Sequence, residues 1–353
     1  MVEQIFGFDD LESPTSTTYD LTTAGPATVF PSFVGLHVEA RQHDPLGEQD
    51  ISSLCFSPHL LSHIDLPTDM PRYDVEKAKL LSPVLSAIIR YEPVILNCLI
   101  LDLSATAKVA IEFVSKHVWA FASRGKTDSQ VVRDILPDLI DPNVKYDDLD
   151  SLHHALEVDI EPLLRDLDLT ETLIVLWTDR QSYISSDRDI SSSFLEGWHM
   201  SWFYPFISLD SAKWLVGKGV AGIATDAYSI DSFCYSLSGH SFSPAVQRLY
   251  REKSRLHGYA SQCVREGPVH DELFASKKLV IENITVPGSI FAPDRDRSQR
   301  VLDGLRSAEQ HTSANRTDCP AIARGRLLLV PFFVVLEMGA AVVSLYADIA
   351  ERL

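Results

Sequence analysis

The segment HLLSHIDLPTD, from His59 to Asp69, brings two histidines and two aspartates into eleven residues. His59 and His63 would align on a helix, but Pro67 restricts the residue before it and favours extended or turn backbone from about Asp65 onward. Imidazole and carboxylate groups are ligands of divalent metals, so His59, His63 and Asp65 form a candidate metal-binding group. The alternative interpretation is a solvated loop between two elements.

An extended backbone would sort the side chains of this segment onto two faces, because successive residues of a strand point in opposite directions. His63, Asp65 and Pro67 then share one side, while Ile64 and Leu66 face the other. The pattern predicts a polar edge over a buried apolar one.

A second group of potential ligands lies far along the chain, in VHDELFASKKLVIEN. His270 falls on a predicted helix, and Glu282 ends the apolar strand that follows it. A helix and a strand joined by a short turn can return both side chains to one end of a sheet.

Several blocks of the chain resemble, in order and spacing, the metal-dependent cyclase family, which includes bacterial-type kynurenine formamidase and isatin hydrolase. The first segment is similar to the signature H-x-G-T-H-x-D-x-P-x-H, with His59, His63, Asp65 and Pro67 at matching positions. YDLTTAGPATVFPSF resembles the opening strand and turn of the family, and SLDSAKWLVGKGVAGIATDAYSID resembles its helix-strand-D-x-x-S-I-D block. The spacing of twelve between His270 and Glu282 matches its later ligand pair.

The resemblance implies a swivelling β/β/α fold, a site for one or two Zn²⁺ or Mn²⁺ ions, and a homo-oligomer, either dimer or tetramer. It implies that His59, His63, Asp65, His270 and Glu282 are the metal ligands, with Asp65 bridging if two ions bind. In such a site the metal lowers the pKa of bound water to about 7 and polarises the carbonyl that the water attacks. The resemblance implies that this carbonyl belongs to an amide or a lactam.

The sequence departs from the family signature at two places. Leu61-Ser62 replaces Gly-Thr, and Asp69 replaces the last histidine, which is the general acid/base of the formamidases. An ordinary aspartate, with a pKa of about 3.9, is a poor acid at neutral pH. Three roles for Asp69 remain open: a retuned catalytic acid/base, an extra metal ligand, or a turn residue.

The aromatic-rich stretch EGWHMSWFYPF could line a substrate pocket, since such pockets are mostly apolar with a few polar groups. A packed loop is an equal alternative. Its candidate substrate-binding residues are Trp198, His199, Trp202, Phe203 and Tyr204.

Asp226 and Asp231 match the D-x-x-S-I-D block and could orient metal ligands from behind, or only cap turns. His153 and His154 are expected to be packing or surface residues.

The composition and net charge of the chain limit the kinds of molecule that it is expected to bind. A chain of 353 residues with 45% hydrophobic content can bury a large core, and a net charge of -18 disfavours nucleic acid. A small-molecule substrate is favoured by elimination.

Five cysteines without a C-x-x-C pair fit neither a disulfide framework nor a zinc ribbon, so we expect reduced, structural thiols. The acidic amino terminus does not resemble a signal peptide, and a cytoplasmic protein is expected.

Buried strand patterns such as VILNCLILDLS and TLIVLWTD alternate with helical patterns, which indicates an α/β or α+β domain with a mixed central sheet. The run LLLVPFFVVLEMGAAVVSLYA is about long enough for a membrane helix. Pro331, Glu337 and Gly339 divide it, however, so two buried strands joined by a short turn are predicted and no membrane contact is expected.

These patterns predict a mobile tail over 1–18 and one cyclase-like domain over 19–353. A helical insertion is predicted at about 104–170 and a surface excursion at about 292–326. The leading hypothesis is a metal-dependent hydrolase of a small cyclic amide, lactam, lactone or polyketide-like substrate. The alternatives are a lyase, dehydratase or ring-forming cyclase of secondary metabolism, and a non-catalytic binding protein.

Overall fold

The computed structural model describes residues 17–21, 37–39, 53–55, 62–66, 82–109, 144–179, 203–227, 229–238, 244–256, 267–291, 321–335 and 340–352. Several predicted features lie outside these residues. They include residues 1–16 of the predicted tail, 110–143 of the predicted helical insertion and 292–320 of the predicted surface excursion.

Strands and helices alternate along most of the described chain. The strands are β1 (Thr17–Asp20), β2 (His37–Glu39), β3 (Ser53–Cys55), β4 (His63–Asp65), β5 (Val94–Asp102), β6 (Glu157–Val158), β7 (Thr172–Trp177), β8 (Phe206–Ile207), β9 (Gly222–Thr225), β10 (Leu279–Glu282), β11 (Ile322–Val335) and β12 (Ala340–Arg352). The helices are α1 (Pro83–Ile89), α2 (Tyr146–Leu156), α3 (Glu161–Leu164), α4 (Leu209–Gly217), α5 (Phe233–Ser238), α6 (Pro244–Leu256) and α7 (Pro268–Ala275). The predicted mixed α/β class is confirmed.

One sheet of eight strands organises the fold, in the order β1-β12-β11-β5-β7-β9-β10-β4. β4 also pairs with β12, so the strands from β12 round to β4 close into a barrel-like ring, and β1 pairs with β12 beside it. β5, β7, β9 and β10 are parallel neighbours, whereas β11, β12 and β4 pair antiparallel with theirs. β4 therefore has a neighbour on each side although it is only three residues long.

The apolar run near the carboxyl end of the chain forms two antiparallel strands, β11 and β12, as predicted. Residues 336–339, where the short turn was predicted, lie outside the described part. At Gly325, next to a register shift in this pair, a Cβ would come within 2.1 Å of the Asp348 carbonyl oxygen. Among the helices described, none is long and apolar enough to cross a membrane.

The side chains of β4 alternate between the two faces of the sheet, as predicted from extended backbone. Ile64 and Leu66 belong to an apolar cluster with Ile281 of β10. His63 and Asp65 lie on the opposite face and are only 1% and 5% exposed. Because helices α4 and α7 pack on that face, the polar side of β4 is interior rather than an exposed edge.

Over residues 144–170, the predicted helical insertion is not one continuous helix. α2 ends at Leu156, and Glu157–Val158 form β6, which pairs with β8 before α3 begins at Glu161. Pro162 accounts for the break, because inside one continuous helix its ring would clash with the carbonyl of Val158, four residues earlier.

Pro83 begins α1, where a proline is tolerated, and the Ser82 hydroxyl accepts the Leu85 N–H. Two other boundaries differ from the sequence-based expectation. β1 begins at Thr17, inside the predicted tail. The last residues of the predicted surface excursion, from Ile322 onward, belong to β11 because they pair with β5.

Candidate metal centre

His63 and Glu282 face each other across the β4–β10 ladder, where they are register partners. Both side chains are buried, Glu282 being 5% exposed. Glu282 is the last residue of β10 and His63 the first of β4, so the two side chains meet at the end of a parallel sheet. Ligand sites in α/β sheets, whether open or closed into a barrel, form at this end, outside the carboxyl termini of the parallel strands.

Asp65 lies between two imidazoles. Its Oδ1 is 3.2 Å from His63 Nε2, and its Oδ2 is 3.5 Å from His270 Nε2. The carboxylate is thus central to the cluster, the position that a bridging ligand would occupy.

His270 reaches the cluster from α7. This helix starts at Pro268, so the residue comes in its first turn and points back toward the sheet. His270 is fully buried, and its Nε2 is 3.3 Å from Glu282 Oε1. β4, β10 and α7 therefore bring four of the five sequence-predicted ligands together, while His59 lies outside the described residues.

Asp231 holds His270 from behind. Its Oδ2 accepts a 2.7 Å hydrogen bond from His270 Nδ1 and another at 3.0 Å from the His270 backbone N–H. Its Oδ1 accepts the Val269 N–H at 3.0 Å. Because Nδ1 donates to a carboxylate, the tautomer is fixed and Nε2 faces Asp65 and Glu282 as a donor atom for a metal.

The loop that carries Asp231 also holds Glu282. The Ile230 backbone N–H donates to Glu282 Oε1 at 2.9 Å, and the Asp231 N–H donates to Ser229 Oγ at 3.2 Å. One short loop after β9 thus orients two candidate ligands that come from different elements. Sequence reasoning singled out Asp231 but missed Ile230, because a backbone donor has no signature in residue type.

Gly267 is a further requirement that the sequence did not reveal. A Cβ at this position would lie 2.1 Å from Asp231 Oδ1, so only glycine lets the carboxylate approach the start of α7. The signal that could have found it is a glycine directly before the Pro-x-His stretch that opens the helix.

The donor set fits a divalent metal ion. Ligand atoms of His63, Asp65 and Glu282 all lie within 4.8 Å of one another. Contacts of 3.2 to 3.5 Å between imidazole and carboxylate atoms are longer than the 2.7 Å bond from His270 to Asp231. They match the roughly 3.4 Å between two ligands held at a tetrahedral angle, each about 2.1 Å from one ion.

Charge reinforces this fit. Burial by itself lowers the pKa of His270, but the negative charge of Glu282 and the hydrogen bonds that the imidazole donates to Asp231, Asp65 and Glu282 raise the pKa well above its ordinary value. Burial, followed by the charge of Asp65, raises the pKa of Glu282. The proton on His270 therefore supplies a positive charge that offsets the buried carboxylates around it. A metal cation can replace that proton.

Asp226, the other predicted orienting aspartate, ties two strand ends together. Its Oδ1 accepts the Thr178 backbone N–H and the Thr178 hydroxyl, both at 2.8 Å. Thr178 follows β7 and Asp226 follows β9, so these bonds fix the rim of the sheet next to β10.

The predicted substrate-binding residues are described only in part. Phe203 and Tyr204 are buried, and the Phe203 ring packs edge-on against Phe233 with centroids 5.1 Å apart. The other three, Trp198, His199 and Trp202, lie outside the described residues, as does the predicted catalytic residue Asp69.

His153 and His154 adopt the two environments expected for them. His153 is buried and packs against the ring of Phe206 at 4.8 Å, whereas the His154 side chain is 65% exposed. Together with Glu157 they form a second group of potential ligand atoms. His153 and His154 are consecutive on a helix and point in different directions, which is typical of packing and surface positions.

No family model matches the chain, and no curated protein matches it at a significant level. Among solved structures it is similar to a potential metal-dependent hydrolase with cyclase activity, at 12% identity and a TM-score of 0.41, covering 96% of this chain and 100% of that chain. It is also similar to isatin hydrolase A from Labrenzia aggregata, at 11% identity and a TM-score of 0.39, covering 99% of both chains. A further similar structure is an isatin hydrolase bound to the product analogue thioisatinate, at 12% identity and a TM-score of 0.41, covering 99% of this chain and 98% of that chain.

Proposed function

We propose that this protein is a metal-dependent enzyme, a diverged relative of the cyclase family, which hydrolyses a small cyclic amide, lactam or lactone. The observation that carries the proposal is the convergence of His63, Asp65, His270 and Glu282 from three separate elements into one buried cluster with ligand-like spacing. The Asp231–His270 bond supports it, because carboxylates commonly orient metal-binding histidines in this way.

The donor set of imidazoles and carboxylates suits Zn²⁺ or Mn²⁺. When bound, the ion would polarise a substrate carbonyl and lower the pKa of a water molecule. The residues of the chain have distinct tasks. With a metal bound, His63 and His270 would present unprotonated Nε2 atoms, and Asp65 and Glu282 would balance the charge. Asp231 accepts a hydrogen bond from His270 Nδ1–H, which keeps this ring from turning away.

The decisive experiment compares metal content and hydrolysis in matched variants. His63→Ala should purify without its metal and without activity on a panel of small lactams, lactones and amides, because it removes a ligand. His154→Ala, on the exposed side of α2, should keep both. Elemental analysis that finds full metal content in folded His63→Ala would refute the site.

Asp69 stands where the formamidases have their general acid/base histidine, so its role determines whether the reaction includes a comparable proton transfer. We propose that it transfers a proton during hydrolysis. Rates of Asp69→Asn across a pH series test this role: a changed profile supports it, whereas wild-type rates at every pH would assign Asp69 to a turn. A product panel scored for elimination or ring formation as well as hydrolysis separates the lyase and cyclase alternatives.

The proposed partner is a small molecule, and we propose that the protein forms a homo-oligomer. The net charge of -18 supports the first point, because a polyanion would be repelled. Light scattering on the purified full chain measures the second directly, and a monomer at micromolar concentration would overturn it.

A further inference from the structure

We propose that Ser62 is a positioning residue for the metal site, acting as a hydroxyl clamp between β4 and the end of β10. The Ser62 hydroxyl donates to the Asn283 carbonyl at 3.2 Å. Ser62 directly precedes His63, and Asn283 directly follows Glu282, so the clamp lies beside two candidate ligands. This inference rests on the proposed function, since it assumes that His63 and Glu282 bind the metal.

β4 depends on such a contact because its own pairing is short. Its ladder with β10 consists of Ile281 opposite Ile64 and Glu282 opposite His63. On its other side, the Ser62 carbonyl accepts the Val343 N–H of β12 at 3.0 Å. Ser62 is therefore bonded to both neighbours of β4, one residue before the first ligand.

The backbone conformation of Asn283 explains why the Ser62 hydroxyl, rather than a backbone N–H, donates to the Asn283 carbonyl. Its φ of 57° is in the left-handed region, so the chain leaves the strand direction directly after Glu282. The Asn283 N–H donates to the Ala227 carbonyl at 3.2 Å. The backbone ladder cannot continue through a left-handed residue, and the Ser62 hydroxyl supplies the cross-strand bond in its place.

The clamp matters for metal binding because the ligand atoms already lie close to their required separation. Ser62 is completely buried, so its hydroxyl cannot be replaced by bulk water when it is removed. Loss of the bond frees β4 to shift against β10, which changes the distance between His63 and Glu282. Partners that orient ligands typically contribute about 10- to 100-fold to metal affinity.

Three variants test the inference through metal binding rather than through turnover. Ser62→Ala removes the hydroxyl, and Ser62→Thr restores it. Ser211→Ala is the matched control, because Ser211 is also buried and its hydroxyl accepts the Ile160 N–H at 3.0 Å, away from the ligand cluster. Zn²⁺ affinity is measured by competition with a chromophoric chelator, and the visible spectrum of the Co²⁺ form reports ligand geometry.

We expect Ser62→Ala to bind Zn²⁺ about tenfold more weakly and to show an altered Co²⁺ spectrum, with both restored in Ser62→Thr. Ser211→Ala should lose thermal stability and keep wild-type affinity. Equal affinity losses in Ser62→Ala and Ser211→Ala would overturn the clamp, since the effect would then be general. If Ser62→Thr fails to fold, the comparison of the two alanine variants still decides.

Failure of the clamp and failure of the proposed function give different results. The metal site itself would be refuted if the wild-type protein bound no stoichiometric Zn²⁺ or if folded His63→Ala still bound it. The clamp alone would be refuted if Zn²⁺ binding were lost in His63→Ala but unchanged in Ser62→Ala.

Discussion

Asp231 and His270 are joined by a 2.7 Å hydrogen bond between a carboxylate oxygen and the imidazole Nδ1, in a place where both side chains are buried. Three N–H donors converge on the two oxygens of this carboxylate: the Val269 backbone, the His270 backbone and the His270 ring. The start of α7 and the direction of its histidine are therefore set by one side chain.

Asp231→Asn should weaken Zn²⁺ binding by roughly 10- to 100-fold while the fold is kept. An amide has one oxygen, so at least one of the three donors would face an NH₂ group. Asp102→Asn is the control, because Asp102 accepts the Ser104 N–H and hydroxyl on the same oxygen, which an amide can also do. Chelator competition measures both variants, and equal affinities would contradict the role given to Asp231.

Gly267→Ala should reproduce the effect of Asp231→Asn on metal affinity, because the new Cβ would displace the Asp231 carboxylate. Gly217→Ala is its counterpart at the end of α4, where nothing lies within 4 Å of the added atom. That variant should bind metal normally and be as stable as wild type or slightly more stable. Wild-type Zn²⁺ affinity in Gly267→Ala would show that the carboxylate tolerates displacement.

Metal affinity should fall as pH is lowered. The pKa of His270 is raised well above its ordinary value in the metal-free protein, so His270 carries a proton at neutral pH that a metal must displace. Each proton released makes the affinity rise by up to about tenfold per pH unit below that pKa. Calorimetry in two buffers with different ionisation enthalpies counts the protons, and buffer-independent heats would contradict this.

Cys98 and Cys234 should resist iodoacetamide in the native protein and react after denaturation. Both are buried free thiols, and burial raises the pKa of each to about 12. The unfolded value is about 8.5, so the protonated thiols contribute stability that is complete below that pH and lost as pH rises toward 12. Mass spectrometry of peptides labelled at pH 8 checks this, and rapid native labelling would contradict the burial.

Local sequence patterns predicted much of the fold. The apolar run interrupted by Glu337-Met338-Gly339 gave β11 and β12, and alternation around His63 gave the two faces of β4. These predictions succeeded because they depend on periodicity and on chain-breaking residues close in sequence. Apolar spacing alone does not reveal that the helical insertion breaks after Leu156, because the break depends on Pro162, which a continuous helix would have to contain.

The family resemblance singled out four candidate ligand residues that lie together in the structure, but it did not indicate which groups hold them in place. The bond from Ile230 to Glu282 and the bond from Ser62 to Asn283 each involve a backbone group, and backbone groups are the same in every residue. The ring closure of β4 between β10 and β12 likewise depends on register between strands far apart in sequence. Such features follow only from the assembled sheet.

The double pairing of β4 also bears on association between molecules. A strand at an open edge presents unpaired N–H and C=O groups, to which a strand from another copy can add. β4 is short and carries two candidate ligands, yet its backbone is engaged by β10 on one side and by β12 on the other. The segment that bears His63 and Asp65 is therefore closed to intermolecular strand addition, and the geometry of the site is protected from the aggregation to which an exposed edge would be open.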